Sequence, residues 1–145
     1  MSRFAKFLSL PPPERRLLFQ AALLVLAARL GLWLLPFRVL PGMLERLAQV
    51  IAWRASTYVA AERIAWAIVA VSSHVPLATC LTQALAARAL LARLGYPAQL
   101  RIGVARAAHG QIAAHAWVEI DQRVILGGSI SGHYTPLPSI AKQSL

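Results

Sequence analysis

Apolar residues fill the first half of the chain in long, nearly unbroken runs, and in the second half they settle into two distinct periods. After Pro11, Pro12 and Pro13, Glu14 stands in a first turn, where an acid suits the helix dipole, and Arg15 to Leu35 reads as one helix stopped by Pro36. Pro41 and Gly42 introduce a second helix, Met43 to Arg54. Ser56 or Thr57 is a candidate cap for a third, running through Ala61, Ile64, Ile68 and Val71.

From Thr79 to Leu94 the period is again helical, closed by Gly95 and, two residues on, by Pro97. Cys80, Ala84, Ala87, Leu91 and Leu94 form one stripe expected to face inward, with Thr82 and Arg93 on the opposite side. The period then shortens to two. Leu100, Ile102 and Val104 alternate with Gln99, Arg101 and Gly103, and a polar loop through His109 and Gly110 follows. In Ala113 to Ile120, one face carries His115, Trp117 and Glu119 and the other Ala114, Ala116, Val118 and Ile120. Asp121 and Gln122 form a tight turn into a third strand, Arg123 to Leu126. Helices followed by an antiparallel meander predict an α+β fold. The whole chain, 1–145, reads as one domain: an apolar helical part, 1–75, and a part with the cysteine helix and the sheet, 76–145.

Composition narrows the partners. At 58% apolar and 14% charged residues, the surface must include apolar area, which points to a partner or a membrane. A formal charge of +10 favours an acidic peptide, an anionic lipid surface or nucleic acid. The basic residues are scattered, without aromatic-basic interleaving, so nucleic acid is set aside. Leu17 to Leu35 is long enough to span a bilayer, but Gln20 and the interior Arg29 argue for a helix buried in the domain or lying against a partner. A single cysteine and no visible secretory signal suit the cytoplasm, and the greasy, basic composition leaves association with a membrane surface open.

The cysteine is the chemically informative residue. A thiol in the first turn of a helix lies at the positive end of the dipole, which favours thiolate, and free backbone N–H groups beside it suit a tetrahedral oxyanion. His115, 35 residues downstream on a strand that packs on the same helix, is the candidate base. The plainer alternatives are a buried apolar Cys80 and a core His115 bonded to a backbone carbonyl. His74, His109 and His133 read as surface or loop residues, and no pair has metal-ligand spacing. Trp117 is core packing or a wall of the site, and Gly127 and Gly128 mark a turn or a close backbone approach.

Three stretches carry a resemblance: Pro76 to Leu81 (PLATCL) leading into Gln83 and Ala84; Leu94 to Val104 (LGYPAQLRIGV); and Ala114 to Glu119 (AHAWVE) with Val124 to Gly127. With the proline-led helix of Leu10 to Leu40, they resemble the transglutaminase-like cysteine peptidases, the B proteins of lasso-peptide biosynthesis, which remove the leader from the precursor. The resemblance implies hydrolysis of one peptide bond without a metal or other cofactor, with Cys80 as nucleophile and His115 as general base and acid. The implied partners are the precursor peptide (leader plus core), a separate leader-binding protein and an ATP-dependent cyclase.

One position departs from the resembling pattern. Those peptidases orient the histidine with a downstream acid, whereas here the region reads Leu126-Gly127-Gly128. Asp121 and Glu119 stand six and four residues from His115, about 20 and 13 Å along a strand. The third position is therefore open to a backbone carbonyl, Ser129 or a water. Two other functions compete: a transamidase that captures the Cys80 thioester with an amine, and a non-catalytic, membrane-adjacent scaffold.

Overall fold

The computed structural model describes residues 3–51, 59–75, 79–106, 110–127 and 135–136. A short helix, α1 (Arg3–Ser9), has no counterpart in the sequence reading. Prolines then open the longest helix, α2 (Pro12–Leu34), where their missing N–H groups cost no intrahelical bond. Ahead of Pro36, Leu35 turns extended and ends it. In α3 (Leu40–Ile51), Pro41 and Gly42 occupy the first turn rather than preceding it, and the expected end at Arg54 lies outside the described residues. The fourth helix, α4 (Ala61–Ser72), has Ala60 at its N-cap, while Ser56 and Thr57 lie outside the described residues. A Cβ on Gly31 would overlap the Leu40 side chain, so the missing side chain lets the start of α3 close onto α2.

α5 (Cys80–Arg93) is the centre of the molecule, packed by α2, α3 and α4 and by the sheet. This corrects the expectation that Thr82 faces away from the core: Thr82 is fully buried, while Arg93 is half-buried. A helix apolar on nearly every side is enclosed over most of its surface. Thr82 tolerates enclosure because its polar atoms are used at the helix start. Its N–H donates to Thr79 Oγ1 (3.3 Å), and the two hydroxyls lie 3.1 Å apart.

Among the described residues four antiparallel strands follow, β1 (Ala98–Arg106), β2 (Ile112–Ile120), β3 (Arg123–Leu126) and the two-residue β4 (Thr135–Pro136), in the order β3-β2-β1-β4. The short β4 was not legible in the sequence. Asp121 and Gln122 both take positive φ (50° and 66°), the backbone that a two-residue hairpin turn requires. Leu100, Ala116, Val118, Ile120 and Leu126 join the helical core. His115, Trp117 and Glu119 alternate onto the other face of β2. The fold is α+β, as expected.

Candidate active site

Thr79 is the N-cap of α5 and Cys80 its first residue. The extended Thr79 backbone and its Oγ1 bond to the Thr82 N–H fix where the helix begins, and therefore where the sulfur sits. N–H groups of a first turn have no preceding carbonyl to bond, so those of Cys80 and Leu81 are directed out of the helix end. Cys80 is a free thiol, half-buried against the margin of the core. It is thus neither the fully enclosed small hydrophobe of the plainer reading nor an exposed surface thiol.

His115 is 9% exposed in the middle of β2, opposite Gly103 of β1. Its Nε2 lies 2.8 Å from the carbonyl oxygen of Gly127. A carbonyl only accepts, so Nε2 carries the proton and, in the neutral ring, Nδ1 carries the lone pair. The ring stacks on Trp117, with centroids 5.9 Å apart and planes at 23°. Trp117 is itself nearly fully buried, and its Nε1–H donates to Glu119 Oε1 (2.8 Å). The other carboxylate oxygen of Glu119 accepts from Arg101 Nε (3.3 Å), and Arg101 is the β1 residue directly opposite Trp117. The imidazole is thereby fixed along its edge by a carbonyl and across its face by an indole that has its own anchor.

Gly127 can supply that carbonyl because it follows β3 with φ +83°. A Cβ there would come within 3.1 Å of both the Ala116 carbonyl oxygen and the Trp117 Cβ. The close backbone approach expected at the glycine pair is therefore real at Gly127, and it brings a main-chain acceptor to His115. Asp121 sits exposed at the hairpin tip. Glu119 bonds Trp117, which in turn stacks on His115. His74 is exposed, whereas His109, Gly128, Ser129 and His133 lie outside the described residues.

The Arg101–Glu119–Trp117 chain is what sequence reasoning missed. Its signal was present in the alternation that puts Trp117 and Glu119 on the His115 face, but cross-strand register was needed to bring in Arg101. α5 packs directly against β1 and β2, on the face where Ala116, Val118 and Ile120 join the core, and His115 stands on the opposite face of the same strand. A half-buried thiol at a helix start and an oriented imidazole on the adjoining strand are the parts required for acyl transfer through a thioester.

Comparison with curated proteins and with solved structures gives no match. Comparison with protein families gives one that covers residues 22–139, described as the Transglutaminase-like superfamily, and so includes α2 from Ala22, all of α3 to α5 and the whole sheet. With that span reaching across both Cys80 and His115, the chain belongs to the transglutaminase-like superfamily.

Proposed function

We propose that this protein is a cysteine peptidase that removes the leader from a lasso-peptide precursor, with Cys80 as nucleophile and His115 as general base and acid. Superfamily membership makes thiol-dependent hydrolysis or transfer the expected chemistry. The observation that carries the reading is the family match over residues 22–139, which takes in both Cys80 and His115, and the 2.8 Å contact of His115 Nε2 with the Gly127 carbonyl sets which ring nitrogen holds the proton. The finer assignment rests on the PLATCL, LGYPAQLRIGV and AHAWVE stretches, which resemble the lasso leader peptidases.

In this mechanism Nδ1 of His115 accepts the Cys80 proton as Sγ attacks the carbonyl carbon of the last leader residue. The oxyanion is held by the first-turn N–H groups of α5. Collapse breaks the C–N bond, the imidazolium protonates the departing core amine, and the leader remains as a thioester on Cys80. Water, deprotonated by the same nitrogen, then releases the leader as a carboxylate. Gly127 and Trp117 keep one tautomer and one ring orientation through both half-reactions. A separate leader-binding protein is expected to accelerate cleavage by raising the effective concentration of the scissile bond, and an ATP-dependent cyclase to consume the freed core amine.

Mass spectrometry of a precursor incubated with the protein and the leader-binding protein tests this proposal. The expected products are a leader ending in a free carboxylate and a core with a free amino terminus, with intact precursor remaining when Cys80→Ala replaces the wild type. A leader recovered mainly as an adduct of an added amine would identify a transamidase instead. Cleavage unchanged by Cys80→Ala would leave the thiol without a catalytic role.

A further inference from the structure

The two faces of α2 differ sharply, and only one is used by the fold. Leu17, Leu24, Val25 and Ala28 are buried against the other helices. On the opposite side Phe19, Leu26, Leu30, Trp33 and Leu34 are 45–77% exposed, with Trp33 the most exposed. At 100° per residue these five fall in one stripe, and from Phe19 to Leu34 it runs about 22 Å along the helix. The apolar exposure continues past the helix end through Leu35, Val39 and Met43.

Charge specifies what covers it. Exposed Arg16 precedes the stripe and exposed Arg38 follows it, and no acid lies between them. All four glutamates are engaged by arginines of this chain: Glu14 by Arg63, Glu45 by Arg88, Glu62 by Arg123 and Glu119 by Arg101. The chain as a whole carries +10. A second copy packed across the stripe by two-fold symmetry would set Arg16 of one protomer beside Arg38 of the other, like charge on like. An anionic bilayer offers the complement of both features, acyl chain for the stripe and phosphate for the arginines. The helix is also long and apolar enough to cross a membrane. Its buried face is nevertheless the platform for α3, α4 and α5, so crossing would dismantle the domain.

We propose that α2 is an interfacial anchor, lying in the plane of an anionic lipid surface with Phe19, Leu26, Leu30 and Trp33 inserted and Arg16 and Arg38 on the headgroups. The inference is independent of the reaction at Cys80. Co-sedimentation of the full chain with phosphatidylglycerol/phosphatidylcholine vesicles, and with phosphatidylcholine alone, tests it. Binding is expected to the anionic vesicles only, weakening as salt is raised. The double variant L30E/W33E, at two positions already more than half exposed, is expected to keep its circular dichroism spectrum and lose binding at least tenfold. Arg16→Gln and Arg38→Gln should each weaken binding about fivefold. Failure of the wild type to bind anionic vesicles, or equal binding by L30E/W33E, overturns the proposal. A wild type that light scattering shows to be dimeric without lipid, and that L30E/W33E renders monomeric, would assign the stripe to self-association instead.

Discussion

The two faces of β2 use the same nine residues of strand for opposite purposes. On one, Ala116, Val118 and Ile120 merge with Leu100, Leu126 and the helices into a core where side chains differ only in volume and shape. On the other, His115, Trp117 and Glu119 are tied one after another to Gly127 and Arg101 by directional contacts. The first face is built from many small, interchangeable contributions. The second is built from a few directional bonds, and so is sensitive to single atoms. Substitutions on the core face should cost stability and leave the chemistry of the folded protein alone, whereas those on the histidine face should lower activity by more than their loss of stability accounts for.

The largest expected effect on this contrast is that of His115→Ala. Loss of a positioned acid-base group lowers kcat by about 10²–10⁴. Because His115 is buried against Trp117, truncation should also lower stability by about 1–3 kcal/mol, so cleavage must be read against a thermal melt. On the core face, Val118→Ala removes two buried methyl groups and leaves a cavity, with a loss of about 2 kcal/mol by denaturant unfolding and kcat per folded molecule unchanged. A kcat deficit comparable to that of the histidine-face variants would show that the two faces are not separable.

Gly127→Ala sits between these cases. A Cβ at φ +83° costs about 1–2 kcal/mol, and its crowding against Ala116 and Trp117 displaces the carbonyl that orients His115. Stability and kcat should fall together, with KM little changed. The smallest effect on kcat belongs to Trp117→Phe, which keeps a ring beneath the imidazole but removes the N–H that Glu119 accepts and part of the buried indole. We expect a loss of about 1 kcal/mol and a kcat decrease smaller than that of Gly127→Ala, while Trp117→Ala, which removes the ring as well, should exceed both. Equal kcat in Trp117→Phe and Trp117→Ala would show that stacking does nothing for the histidine.

Much of this was legible because it depends on local period and on punctuation. The helical period from Thr79, Gly95 closing it, the alternation around His115 and the Asp121–Gln122 turn are short-range signals, and the α+β architecture follows from them. Thr82 was misplaced because a stripe on one helix does not reveal how many neighbours surround it. Enclosure by three helices and a sheet is a property of the tertiary fold. The partner of His115 could be narrowed but not chosen. A main-chain carbonyl has no side-chain signature, and Gly127 reaches its place only through the positive φ after β3 and the β2–β3 register.

The claim on which the rest depends is that the reaction passes through a thioester on Cys80. Its most direct test is rapid acid quenching of the protein during turnover of a precursor, followed by intact-mass analysis and mapping of the modified residue. The account predicts a transient species heavier than the free protein by the leader less one water, mapped to Cys80 and missing in Cys80→Ala. Efficient cleavage with no such adduct at any time, undiminished in Cys80→Ala, would contradict it.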